Sequence, residues 1–262
     1  LAATQALGTA AGTPDLWIVT PPPTECPNAA AIWGLGRVVQ AEWPHLPARL
    51  LGIDAPDPSR IVAELAQPTR ENQIISQGPD RHVLRLQPLP KGNHPRLVVE
   101  ADHTYLITGG RGALGLLTAE WLIGRGARHL VLVGRTPPSP ATAAALDQWS
   151  EAGVTIALPS VDLADATATR TLVAELAATQ PQLAGVFHLA GVIEDAALAA
   201  QTPRHFQHTA NAKSTAARNL DQALRDEAIS LDFWINFSSS AGVLGTPGQA
   251  NYAGANAWLD AF

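Results

Sequence analysis

The sequence predicts an α/β fold made of two successive sets of alternating strands and helices. Three observations predict it. Short apolar runs closed by turn residues alternate with longer helical segments, which implies βαβ units and a mostly parallel sheet with helices on both faces. Pro88, Pro90, Gly92 and Pro95 form a linker between the two sets. A glycine-rich turn joins a strand to a helix near the start of the second set. The expected division is therefore 1–100 and 101–262.

In the first set, Leu16 to Thr20 is an apolar run closed by Pro21, Pro22 and Pro23, so it predicts a strand. Asn28 is placed to cap a helix through Ile32, Leu35, Val38 and Val39 that stops before Pro44. Arg49 to Ile53 predicts a second strand. Asp57 followed by Pro58 predicts an N-cap and first helical position, with Ile61, Val62 and Leu65 on one face. Ile74-Ile75 and Val83 to Leu86 read as further strand. In the second set, strands are expected at Thr104–Thr108, His129–Val133, Val154–Val161, Gly185–Ala190 and Phe233–Phe237. Helices are expected at Gly115–Arg125, Ala141–Ser150, Asp165–Thr179, Thr202–Arg225 and Tyr252–Phe262.

Composition narrows the function classes. The 262 residues are 46% hydrophobic and 15% charged, which excludes a disordered chain. Seventeen basic against 23 acidic residues give a net charge of −6, which argues against nucleic-acid binding. No apolar run approaches the ~20 residues of a membrane span, and no signal peptide is visible. Cys26 is the only cysteine, so no intramolecular disulfide forms and a cytoplasmic location is expected. The chain starts at Leu1 and has no methionine, which suggests an excerpt, from a processed protein or from the middle of a larger polypeptide.

The strongest local signal is Thr108-Gly109-Gly110-Arg111-Gly112-Ala113-Leu114-Gly115. Gly110, Gly112 and Gly115 fit G-x-G-x-x-G between a strand and a helix, the context that brings a dinucleotide pyrophosphate to a helix N-terminus. The bland alternative is a plain tight turn. About 20 residues further on, where an NAD site carries an acid, stands Arg135 in Val133-Gly134-Arg135-Thr136. A guanidinium suits a ribose 2′-phosphate, so NADPH is expected over NADH. The alternative is a solvated surface arginine. Asp162 is placed either to accept from the adenine amino group or to cap the next helix. Gly34-Leu35-Gly36 lacks the third glycine and is assigned no nucleotide. His205 and His208 have H-x-x-H spacing but are expected to have no acidic or cysteine ligand nearby, so they are expected on a helix surface and no metal is assigned. The seven tryptophans are expected as core or interface residues.

A third signal is Ser238-Ser239-Ser240 followed by Asn251-Tyr252-Ala253-Gly254-Ala255-Asn256. The interval from Ser239 to Tyr252, after a glycine loop and four further αβ steps, resembles the short-chain dehydrogenase/reductase family. There the serine hydroxyl binds the substrate carbonyl and the tyrosine donates the proton. A phenol is a poor proton donor at pH 7 unless a cation stands beside it. The ordinary member of that family has its lysine at the fourth residue after the tyrosine, and this chain has Asn256 there. Lys213 is the candidate, since the only other lysine is Lys91 in the linker. This exchange resembles the ketoreductase domains of modular polyketide synthases and animal-type fatty acid synthases, as do Val186 to Val192, Ser238 to Gly245 and Gln249 to Phe262.

The resemblance implies two Rossmann-like subdomains. The first would be a truncated structural one that binds no nucleotide, with Ala31 to Val38 in its helix. The second would be a catalytic, C-terminally truncated one lacking the loop that covers substrate. It implies reduction of a β-ketoacyl thioester carried on the phosphopantetheine arm of an acyl carrier protein. Neighbouring synthase domains would lie in the same polypeptide. Ser239, Tyr252, Lys213 and Asn256 would be catalytic. Thr108, Gly109, Gly110, Arg111, Gly112, Leu114, Gly115, Gly134, Arg135, Thr136, Asp162, Leu163, Ala190, Gly191, Val192, Lys213 and Tyr252 would hold the cofactor. Ile193-Glu194-Asp195 stands where the D-alcohol (B) type carries Leu-Asp-Asp, and Leu244 where the opposite type carries tryptophan. Asp195, Leu244, Pro247 and Asn251 are thus stereocontrol candidates, and a D-hydroxyl is expected. Two other readings stay open: a redox-inactive domain that scaffolds a synthase, and the equivalent domain of a fatty acid synthase.

Overall fold

The computed structural model describes residues 1–8, 15–55, 57–67, 69–89, 92 and 97–262. Pro90, Lys91 and Pro95 of the expected linker lie outside the described residues. The elements in chain order are α1 (Ala2–Gly8), β1 (Leu16–Thr20), α2 (Pro27–Glu42), β2 (Ala48–Ile53), α3 (Pro58–Ala66), β3 (Gln73–Gln77), β4 (Asp80–Val83), β5 (Thr104–Thr108), α4 (Ala113–Gly124) and β6 (His129–Val133). They continue with α5 (Pro140–Glu151), β7 (Thr155–Ala157), α6 (Ala166–Thr179), β8 (Leu183–His188), α7 (Pro203–Ala210), α8 (Ala216–Asp226), β9 (Phe233–Asn236), α9 (Ser240–Leu244) and α10 (Ala250–Ala261). A short 3₁₀ turn, Leu198–Ala200, precedes α7, and a π-helical turn, Asn211–Thr215, joins α7 to α8.

Contacts divide the chain into two compact units. One comprises Leu1–Gly92, Ile193–Ala210 and Ser238–Phe262; the other comprises Asn93–Val192 and Asn211–Phe237. The first holds a four-stranded sheet, β1-β2-β3-β4, parallel except for the β3–β4 hairpin. Its core joins α2 to α10 through Val38, Val39, Ala250 and Ala253. The second holds a five-stranded parallel sheet, β7-β6-β5-β8-β9. Alternation along β5 builds its two cores: Leu106 faces α6 and α8, while Tyr105 and Ile107 face α4 and α5. Every residue of β5 is buried, as expected for a central parallel strand.

Several expectations need correction. Asn28 does not cap α2: the N-cap is Cys26 with Pro27 following, and the Asn28 side chain accepts instead from Trp258 Nε1 at 3.2 Å. Asp57 does cap α3, accepting from Ser59 N–H at 2.9 Å. The face of α3 that turns inward carries Glu64, however, and Val62 and Leu65 are exposed. Arg81 grips both Glu64 oxygens through Nε at 3.0 Å, and this pair replaces the expected apolar contact. Strand character stops at Val83, and Leu84 to Leu86 are unpaired chain. The strand expected over Val154–Val161 shrinks to three residues, because Pro159 lacks an N–H for the ladder. Helices α1 and α9 have no counterpart in the sequence reading. None of the described helices is long and apolar enough to cross a membrane.

Candidate functional site

The chemistry-bearing residues fall into two groups, one in each unit. In the unit built on the five-stranded sheet, β5 ends at Thr108, the chain turns through Gly109 to Gly112, and α4 begins at Ala113. Gly109 has φ +65°, a conformation that side chains rarely adopt. A Cβ on Gly115 would lie 2.6 Å from Gly109 O, so only glycine lets α4 approach the turn. Gly112 is under no such pressure, since its Cβ would meet Gly109 O at an ordinary 3.4 Å. It is the N-cap of α4 and supplies no side-chain hydrogen bond. The first N–H groups of the helix therefore keep their capacity for an external acceptor, and Gly112, Ala113 and Leu114 are exposed.

Arg111 braces this turn. Its guanidinium donates to Thr136 O at 2.6 Å and Leu158 O at 2.5 Å, tying the turn to the ends of β6 and β7. Burial pulls its pKa down. A Cβ on Gly134 would lie 3.1 Å from Arg111 Cδ, so Gly134 leaves room for that stem. Arg135 is half-exposed, with Nη1 3.9 Å from Asp162 Oδ2. Asp162 does not cap α6; that role belongs to Asp165, which accepts from Thr167 and Ala168 N–H. Asp162 accepts from Ala164 N–H at 3.0 Å. The Leu163 side chain is buried in the core.

Lys213 sits in the π-helical turn and is buried. Its ammonium donates to Phe237 O at 3.0 Å. A Cβ on Gly191 would lie 3.2 Å from Lys213 Cε, so the bare backbone there leaves room for the lysine stem. A relay of hydrogen bonds reaches the lysine backbone from the glycine turn. Ala190 N–H donates to Thr108 Oγ1 at 3.0 Å, Thr108 Oγ1 lies 2.8 Å from His188 Nδ1, and His188 Nε2 lies 3.0 Å from Lys213 O. The Lys213 carbonyl can only accept, so Nε2–H of the neutral imidazole donates to it, Nδ1 is the acceptor, and the Thr108 hydroxyl donates to Nδ1 while accepting from Ala190 N–H. Burial holds the His188 pKa down at about 4, and the nearby lysine charge adds to the effect. From the sequence alone His188 is assigned no role. Its signal was a histidine ending an otherwise apolar strand.

In the other unit, Ser239 is the N-cap of α9, its Oγ accepting from Ala241 N–H at 3.2 Å. Ser238 Oγ donates to Asn256 O at 3.3 Å. Tyr252 is half-buried in the first turn of α10, and Asn256 follows one turn later, fully buried. Asn256 Nδ2 donates to Tyr252 O at 2.8 Å, while its Oδ1 is a buried acceptor with no hydrogen-bond partner in the structure. Such an acceptor is costly to leave unmet. Asn251 is buried and fully engaged: Nδ2 donates to Glu194 O at 3.0 Å and Thr209 Oγ1 at 2.9 Å, and Oδ1 accepts from Gln201 at 3.1 Å. Leu244, Pro247 and Asp195 are exposed, and Asp195 accepts from Gln249 Nε2 at 3.0 Å. His208 does meet a carboxylate, with Nδ1 2.8 Å from Glu194 Oε1. Among the described residues, the one cluster with metal-ligand proximity is Glu100, Asp102 and His103.

Comparison with known proteins connects these observations to a family. Residues 103–262 match the KR domain. The chain is 40% identical to the polyketide synthase GfsA of Streptomyces halstedii, a match that covers 100% of this chain and 4% of that protein. It is similar to the solved structure of a ketoreductase domain from the bacillaene assembly line, with a TM-score of 0.88 and 29% identity, covering 100% of this chain and 64% of that one. It is also similar to A-type ketoreductases from a modular polyketide synthase, with a TM-score of 0.86 and 35% identity, covering 99% of this chain and 58% of that one. The chain thus spans a small fraction of its curated relative and less than two thirds of these solved chains.

Proposed function

This chain belongs to the KR domain family, ketoreductases of the short-chain dehydrogenase/reductase type, and on that premise we propose that it reduces a β-ketoacyl thioester to the β-hydroxyacyl thioester with NADPH. The thioester is carried by an acyl carrier protein on its phosphopantetheine arm, beside further synthase domains in a cytoplasmic polypeptide. Residues 1–100 serve as the structural part that binds no nucleotide, and residues 101–262 carry the cofactor and the chemistry.

The observation that carries this reading is Lys213. A lysine is almost never fully buried unless it is paired, and here the buried ammonium sits on the carbonyl of Phe237, the residue before Ser238. NADPH, when bound, supplies hydride to the β-carbon. The glycine turn and the uncapped start of α4 fit its pyrophosphate, and Arg135 suits its 2′-phosphate. Ser239 and Tyr252 hydrogen-bond the ketone oxygen, and Tyr252 gives it a proton. Lys213 binds the nicotinamide ribose and supplies the positive charge that proton transfer from a phenol needs. The unmet Oδ1 of Asn256 suits a water that returns a proton to the site. The D-hydroxyl product rests on Asp195, Pro247 and Asn251, and on Leu244 in place of a tryptophan.

Replacing Tyr252 by Phe tests the mechanism. Reduction of a β-ketoacyl thioester, followed as NADPH consumption, should fall by at least about a hundredfold, the scale of a general acid. NADPH binding should persist. Retained turnover would overturn the assignment, and chiral analysis of the wild-type alcohol decides the stereochemical part.

A further inference from the structure

Glu42 ends helix α2, where a carboxylate faces the negative end of the helix dipole and is locally disfavoured. Its two oxygens compensate by accepting from the backbones of two different loops. Oε1 accepts from Gly248 N–H at 2.6 Å, and Oε2 accepts from Leu198 N–H at 2.8 Å. The same two loops also meet directly. Ala196 N–H donates to Gly248 O at 2.9 Å, and Gln249 Nε2 donates to the Asp195 carboxylate at 3.0 Å. The Gly248 peptide, at φ +82°, is thereby held on both sides. Earlier on α2, Arg37 donates to Gly242 O, and a Cβ on Gly245 would lie 2.7 Å from the Arg37 carbonyl. Helix α2 therefore grips α9 at Gly242 and the loop that follows it at Gly245 and Gly248, a stretch that displays Leu244 and Pro247. Through Glu42 it also registers that loop against the one displaying Asp195.

We propose that Glu42 is a positioning residue for substrate orientation: it fixes the two exposed loops against each other and so decides which face of the β-ketone is presented for reduction. The proposal rests on the ketoreductase reading. A carboxylate is required because both N–H groups need an acceptor, and an amide offers only one oxygen.

The test compares wild type, Glu42→Gln and Glu42→Asp in the full chain, with NADPH and a short β-ketoacyl thioester. In Glu42→Gln the KM for thioester should rise about tenfold, the scale of one lost charged hydrogen bond. The ratio of the two alcohol stereoisomers should shift toward unity, and the Kd for NADPH should stay unchanged. Glu42→Asp keeps two acceptors and should restore most of the stereoisomer ratio. An active Glu42→Gln chain with unchanged KM and ratio overturns the proposal. So does a variant without a cooperative melt, since Glu42 would then be holding the fold rather than two loops. A wild-type chain that binds NADPH yet reduces no β-ketoacyl thioester overturns the ketoreductase reading, and this inference with it.

Discussion

His188 shows how one buried side chain sets a pH dependence. Its imidazole is kept neutral because burial opposes the charge, Thr108 already donates to Nδ1, and the Lys213 ammonium is near. The folded pKa of about 4 lies below the ordinary 6.5. Between these values the unfolded chain binds a proton that the folded chain refuses, so stability falls as pH drops from about 6.5 toward 4. The loss from this group is about 2 kcal/mol between pH 7 and pH 5. Urea unfolding at the two pH values should show that loss in wild type and a correspondingly smaller one in His188→Gln. Equal losses in both chains would mean that His188 is not the titrating group. Lys213 was visible as a candidate because the chain holds only two lysines. Its anchoring by His188 was not visible, because those residues meet only when β8 and the π-helical turn pack together.

Helix α2 illustrates the scale above. Its Gly34 and Gly36 resemble the start of a nucleotide-binding turn, yet they sit mid-helix, where glycine is a poor choice. Packing supplies the reason. A Cβ on Gly34 would stand 2.5 Å from Ala253 O, in the backbone of α10, the helix that carries Tyr252 and Asn256. A Cβ on Gly36 would instead meet Leu50 Cδ2, the end of a side chain, at 2.3 Å. Backbone cannot step aside as a rotamer can, so Gly34→Ala should cost about 1–3 kcal/mol and Gly36→Ala less. Denaturant midpoints give the order directly, and Gly34→Ala should also lower reductase activity by displacing α10. The element boundaries followed local chemistry where that chemistry was strong. Asp57 and Asp165 cap their helices, whereas Asn28 was displaced by Pro27 at the first helical position.

For the whole molecule, ligand binding and folding are linked. A dinucleotide that binds only the folded chain should stabilise it by about 2.7 kcal/mol at a hundredfold its Kd. The net charge of −6 opposes an anionic cofactor at long range, so the proposed reading assigns affinity to local groups: the start of α4, Arg135 and Lys213. NADPH should therefore raise the melting temperature of wild type more than NADH does at equal concentration. Arg135→Ala should remove that difference while leaving the NADH effect in place. An unchanged NADPH preference would show that Arg135 does not read the 2′-phosphate.

The sequence by itself determined most strands of the two sheets, the glycine turn after β5 and the Ser239–Tyr252 spacing. Each is written in residues close together along the chain, as alternation, as backbone freedom or as the interval between two side chains. Only the tertiary structure decided which buried polar groups meet. It placed Glu42 on Leu198 and Gly248, Asn251 on Glu194 and Thr209, and His188 on Lys213. It also grouped residues 193–210 and 238–262 with the first 92. The physical reason is that a buried donor or acceptor must be satisfied by whatever the packed chain brings within 3 Å or so. No periodicity or cap along the sequence records which distant segment that will be.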